Sequence, residues 1–384
     1  MINDSHVGFD FNSIVIYMSF FVVSFIFCYL SERKYRKRKR QLGNFYAGIS
    51  VLILCILAAV RSTSVGGDIM VYLLPNFERA ITYSSFTEFY AVASVQMEFL
   101  FSLLVYCYAK IGNLSLLFFT IELLILVPLY YVLYKSKERC SITIAYIIYV
   151  FLFYNFSFSG MRQSIAMSMM FLAIYHLMNK DYIKLVFWSI IAILFHKGAV
   201  VPLVLITLIL VFEKRKSYKK LLGILTVILL SFFVLYNQFA NVLANVFLLI
   251  SPRYSYYIQM YISPNIQWGN IPSTEIVMKL GIVMICALFG YYKKSGNIRN
   301  VSFLVFSLLG RYFVLLNARM YEALRIAYYF DVFSIVLVGN TVYQQRIYTN
   351  RRVLSICMVG LAFFYWIYFI MYIGGYKTNV FSFA

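Results

Sequence analysis

Apolar runs of about 18 residues or more recur along the whole chain, each long enough to cross a hydrocarbon layer about 30 Å thick. No other feature constrains the fold as much. The runs lie near 12–30, 43–60, 94–109, 114–134, 141–158, 163–178, 183–196, 198–212, 221–237, 274–292, 301–316, 326–344 and 353–372. They predict an all-α polytopic membrane protein with about 12–13 membrane helices and two longer extracytoplasmic loops, 61–93 and 238–273. Residues 1–384 read as one integral-membrane domain, with no internal repeat and no low-complexity linker. Composition agrees: 12% of the 384 residues are charged, about half the share of an ordinary globular chain. The acidic, cation-free start MINDSHVGFD is the wrong flank for a cleavable signal peptide.

A net charge of +20 would point to nucleic acid in a soluble protein, but its placement points elsewhere. Of the 34 lysines and arginines, 23 lie in six short segments between apolar runs: 33–40, 135–139, 180–184, 214–220, 293–299 and 346–352. Such segments stay in the cytoplasm by the positive-inside rule. A nucleic-acid surface would instead interleave basic, polar and aromatic residues on one soluble face, so no nucleic-acid partner is expected. One conflict of parity arises. Segments 33–40 and 135–139 both belong inside, yet three runs separate them. The weakest is 94–109, which is short and carries Gln96 and Glu98; it is expected to dip into or lie along the outer leaflet without crossing. The run 183–212 contains Gly198 and Pro202, which favour a break into two short helices meeting at His196–Lys197.

Short loops inside and long loops outside place the working face outside. Most of the remaining cations fall there, on the side where the positive-inside bias disfavours them. The arginine fork suits phosphate, so a group of arginines at a membrane face points to an anionic headgroup. The plainer alternative is that each one snorkels or pairs with a carboxylate. The stretch 156–197 is central: two apolar helices lie between Arg162–Gln163 at one end and His196–Lys197 at the other. Ionisable residues in such places are functional or well paired.

Asp68 follows Val65-Gly66-Gly67; two glycines let the backbone approach a ligand closely, though turns favour the same residues. Glu322 and Arg325 stand three apart on one helix face, either as part of a site or as a local ion pair worth about 0.2–0.5 kcal/mol. Arg253 lies among Tyr254, Tyr256, Tyr257 and Tyr261, a setting that suits sugar rings and phosphates, or an interfacial aromatic belt. The charge of Lys197 favours a neutral His196, the form a general base needs; a hydrogen-bonded interfacial histidine is the alternative. The six cysteines form no C-x-x-C, and no metal-ligand spacing, Walker loop or Ser-His-Asp order occurs. No metal and no cofactor is expected.

Read in order, Arg61 followed by VGGD and Tyr72, Glu98 opening the next run, SGMRQSIA around Arg162–Gln163, FHKGA around His196 and EALRIAYYF around Arg325 form a set. The set resembles the EpsG family of Wzy-type polysaccharide polymerases. Each motif is short, so the combination carries the likeness, which spans most of the chain. The resemblance implies a multi-pass glycosyltransferase of the bacterial cytoplasmic (inner) membrane, serving O-antigen, capsule or exopolysaccharide synthesis. It would join oligosaccharide repeat units carried on undecaprenyl diphosphate at the external, periplasmic face, with inversion at the anomeric carbon. Its partners would be the lipid-linked glycans, membrane lipid and, commonly in such systems, a chain-length co-polymerase. On this reading Arg162, Arg253 and Arg325 hold the diphosphate, with Tyr257 and Glu322 also in the substrate site. His196 or Asp68 takes the acceptor's proton, and Arg61 and Gln163 position. Two other classes fit less well. A flippase for the same glycolipid would line a central cavity with cations and tend to show repeated halves; a membrane acyltransferase acting on exported glycans would also want an outward or central histidine.

Overall fold

The computed structural model describes residues 8–214, 227, 231, 273–290, 298–316 and 323–384. Two helices, α1 (Phe11–Arg36) and α2 (Arg40–Ala59), form an antiparallel hairpin. Its inner seam is polar but satisfied: Ser24 and Ser50 exchange hydroxyl-to-carbonyl bonds of 2.8 and 2.9 Å. In hydrocarbon, where apolar burial gives no net drive to associate, such small polar pairs hold helices together.

Between α2 and the next long helix the chain folds into a π-helical turn Ile69–Leu73, α3 (Leu74–Thr82), α4 (Phe86–Ala93) and α5 (Phe99–Ile111). The long connection 61–93 is thus itself largely helical. Pro75 sits in the first turn of α3, where its missing N–H is not needed, and Ser85 caps α4 by accepting the Glu88 N–H. With only 13 residues, α5 is about 20 Å long, too short for a 30 Å core. Both its ends lie at the same end of the bundle. Glu98 at its start bonds Arg162, and Gly112–Asn113 after its end share a cleft with Arg61–Thr63 and Phe383–Ala384. This placement is what parity asks of a run that returns without crossing.

The chain then continues through α6 (Leu114–Lys135) and α7 (Ile142–Tyr149). A π turn Val150–Tyr154 joins α7 to α8 (Asn155–Ser159), and α9 (Met161–Met178) follows. Nearly every residue of α9 is buried, including Ser164 and Ser168, which makes it the central post, packed by α6 and by α10 (Tyr182–Phe195). A helix apolar on all sides belongs in such a position. The run 183–212 is broken, as Gly198 and Pro202 imply. After α10 comes a 3-10 turn Lys197–Ala199, then α11 (Val200–Lys214), with Pro202 tolerated in its first turn. The remaining described helices are α12 (Ser273–Phe289), α13 (Ile298–Leu316), α14 (Ala323–Asp331), α15 (Phe333–Tyr343) and α16 (Tyr348–Tyr365), the last running on as a π segment Trp366–Tyr372.

Six stretches among the described residues are long and apolar enough to cross a membrane: 11–36, 40–59, 114–135, 142–159, 323–343 and 348–372. Helices 99–111, 182–195, 197–210 and 302–315 are shorter but also apolar. The protein is an all-α polytopic membrane protein. Among the described residues the one β-like pairing is an isolated antiparallel bridge between Arg61 and Phe383.

The two ends of the bundle differ. At one end Glu32 accepts from the Thr143 backbone N–H (2.7 Å) and hydroxyl (2.6 Å) and pairs with Arg36. Arg36 and Arg351 lie over the Tyr343 ring, and Lys137 lies over Tyr134. This basic end gathers segments 33–40, 135–139 and 346–352. At the opposite end the C-terminal stretch stitches the chain together. Its Lys377 and Ser382 carbonyls accept from the N–H groups of Gly66 (3.0 Å) and Ser62 (2.8 Å), and the Ala384 N–H reaches the Val60 carbonyl (2.9 Å).

Candidate functional site

The site lies at that opposite end, where four separate stretches of chain meet. The first is the loop after α2. Gly66 has φ +120°, and a Cβ there would run into the Phe158 carbonyl group, so only glycine fits. The Gly67 N–H donates to Ser159 Oγ (2.8 Å), whose hydroxyl donates onward to the Tyr376 carbonyl (2.7 Å). These bonds fix the loop that presents Asp68 and, one π turn on, Tyr72.

The second stretch is the start of α9. Arg162 donates through Nη1 to Glu98 Oε2 and to the Gln96 carbonyl, each at 2.7 Å. Its guanidinium lies over the Tyr72 ring, 4.7 Å from the centroid, a favourable cation–π stack. An arginine has five N–H donors, so its Nη2 and Nε edges remain outside these two bonds. Asn76 braces the other side by donating to the Tyr72 carbonyl and to Gln96 Oε1, both at 2.7 Å. Burial raises Glu98, but Arg162 outweighs it and, with His196, holds the carboxyl below its usual range. The Glu98–Arg162 pair is therefore ionised.

His196 ends α10 in the third stretch, and α14 supplies the fourth. The His196 Nδ1 and the Tyr329 hydroxyl are 2.8 Å apart, with the two rings stacked at 6.2 Å. If Nδ1–H donates to Tyr329, the free lone pair is on Nε2. Gly198 keeps the ring in place, because a Cβ there would stand 2.6 Å from His196 Cε1 and 2.9 Å from Nδ1. Glu98, Arg162 and Arg325 are the charges that act on His196. Gln163 Nε2 donates to the Arg325 carbonyl at 2.6 Å, tying α9 to α14. The Arg325 side chain is exposed. Asp68 is raised by burial, with Arg325 and Arg162 pulling it back.

Arg162 and Arg325 thus act electrostatically on both Asp68 and His196, though the four come from positions spread over most of the chain. Gln163 lies beside them but spends its amide on a backbone carbonyl, a bracing task. Arg61 is set apart: it is buried, with its guanidinium 3.8 Å from the Phe158 ring centroid and 4.3 Å from that of Phe118. It props the loop from behind. Arg253, Tyr257 and Glu322 lie outside the described residues. Two cations from outside the six basic segments, Lys279 and Arg311, are buried inside the bundle and paired with carboxylates.

Sequence reasoning undervalued three parts of the site. Glu98 is the direct partner of Arg162. Tyr329 is the direct partner of His196. The tail Gly374–Lys377 forms a wall over Gly66–Gly67, with positive φ at Gly374, Tyr376 and Lys377; its Gly-Gly pair was a turn signal.

No curated protein and no solved structure matches the chain. A family model does, over residues 44–383, from α2 through the tail and so across all four stretches. With Asp68, Arg162, His196 and Arg325 assembled within that span, the chain belongs to the EpsG family, membrane proteins of the Wzy-type and exopolysaccharide polymerase-like group.

Proposed function

We propose that the protein polymerises oligosaccharide repeat units carried on undecaprenyl diphosphate, at the external face of the bacterial cytoplasmic membrane. One observation supports the reading: hydrogen bonds tie together the stretches that carry Asp68, Arg162, His196 and Arg325 at the bundle end remote from the basic segments, within the part of the chain that matches the EpsG family. The positive-inside rule puts the basic end in the cytoplasm and the site outside.

In the proposed reaction a hydroxyl of one lipid-linked unit attacks the anomeric carbon of the growing chain. A new C–O bond forms as the bond to the diphosphate oxygen breaks with its electron pair, inverting that carbon and releasing undecaprenyl diphosphate. The acceptor's proton passes to His196 or Asp68. Arg162 and Arg325 face the charge that develops on the leaving diphosphate, where preorganised donors lower a barrier most; Arg253, outside the described residues, is assigned the same task from the sequence. Tyr257 and Glu322 keep their assignment to the substrate from the sequence alone, and Gln163 and Arg61 hold the frame. The Glu98 and Tyr72 contacts fix the Arg162 guanidinium before substrate arrives, so little reorganisation is required.

The test is genetic and biochemical together. Arg162→Ala, Arg325→Ala and His196→Ala should each abolish polymer while single-repeat glycolipid accumulates outside. Normal chain lengths in all three would overturn the reading. Accumulation of the single repeat inside would indicate a flippase, and full-length but unmodified polymer an acyltransferase.

A further inference from the structure

Beneath the site lies a second group of charges. Glu275 and Lys279 on α12, Arg311 on α13 and Asp331 at the end of α14 are all buried, none more than 4% exposed. Lys279 Nζ stands 2.6 Å from Glu275 Oε1 and 3.7 Å from Asp331 Oδ2. Arg311 pairs with Asp331 through Nη2 and donates from Nη1 to the Glu275 carbonyl at 3.2 Å. The quartet is electrically neutral, and aromatic rings of Phe153, Tyr328 and Tyr365 lie about the ammonium, 4.9–5.3 Å from it. Gly310 is part of the fit: a side chain there would collide with the Asp331 carboxylate and come within 3.2 Å of the Ala327 carbonyl.

We infer that this quartet sets the position and rotation of α14, and so of the site residues that α14 carries. The tie to the site is direct. Tyr328 donates to Glu275 Oε2 at 3.4 Å, and the next residue, Tyr329, meets His196 Nδ1 at 2.8 Å. On a helix, neighbours point about 100° apart. One face of α14 is therefore held by the quartet while the next is offered to His196. Asp331 fixes the same helix at its far end, and Gln163 takes the Arg325 carbonyl near its start.

A membrane helix has no hydrophobic preference for one rotation over another, whereas ion pairs without competing water are directional. Ionisable groups this deep are expected to have a task. The arrangement makes Arg311, Asp331, Lys279 and Glu275 positioning residues for the proposed reaction, and the inference rests on that reading for its kinetic part only.

The test uses the full chain in lipid nanodiscs, with turnover of lipid-linked repeats and amide hydrogen exchange measured in parallel. Breaking a buried pair leaves a lone charge, but replacing both members by apolar residues is often tolerated. Arg311→Met combined with Asp331→Leu should therefore melt close to the wild type. It should nonetheless turn over at least tenfold more slowly at unchanged KM, with faster exchange across 323–331 and unchanged exchange across 161–178. Wild-type turnover and wild-type exchange in that double variant would overturn the inference and leave the quartet as a purely stabilising element. Should the double variant fail to fold, Tyr328→Phe decides: about threefold lower kcat with faster exchange at 323–331 supports the positioning role, and wild-type values refute it. Should the wild type make no polymer, the polymerase reading falls, and the exchange measurement alone decides the quartet.

Discussion

His196 illustrates how a half-buried residue is set by what surrounds it. Its ring meets the Tyr329 hydroxyl at 2.8 Å and stands against Gly198. Gly198→Ala, which crowds the ring without touching its charge, should lower kcat at least tenfold while protein level and melting stay near the wild type. Asp68 is pushed upward by burial. Separate substitutions of His196 and Asp68 distinguish the two candidate bases.

At the scale of elements, the short helix α5 matters most. It brings Glu98 to Arg162, and the Gln96 carbonyl with it. Glu98→Gln keeps the shape of the contact but removes the charge that anchors a half-buried guanidinium. A charge-assisted bond contributes about 1.5–3 kcal/mol, so the variant should lose on the order of tenfold in kcat/KM in a lipid-linked repeat assay, with folding preserved. Little of this was legible beforehand. Apolar length and charge placement sufficed for the long helices: the run read as 114–134 is Leu114–Lys135, and that read as 163–178 is Met161–Met178. Parity singled out 94–109 as the run least suited to cross, and α5 is the short helix whose two ends lie together. The helices within the connection 61–93 are short and half-exposed, with periodicity too brief to be legible in the sequence. The partners of His196 and Arg162 depend on tertiary packing between helices far apart in the chain. No local pattern encodes them.

For the whole molecule, the ends of the bundle are the testable feature. If the basic end faces the cytoplasm, a membrane-impermeant maleimide applied to intact cells should label Lys110→Cys and Ser382→Cys. Lys137→Cys should react only after permeabilisation. These assays would use a background in which Cys107 and Cys357, the exposed native thiols, are replaced. Labelling of Lys110→Cys only after permeabilisation would place α5 across the membrane and undo the topology.

The broken pair α10–α11 has a further consequence. With 14 residues, α10 spans about 21 Å, and His196 stands at its far end. A standard bilayer core is about 30 Å thick, so the lipid must thin around this pair or the histidine must lie below the headgroup plane. Either way, a polyprenyl carrier would not have to lift its phosphates fully into water to meet the site. The reacting groups would come together at the bottom of a local dent in the outer leaflet. Membrane thickness would then govern the rate, as substrate concentration does in solution.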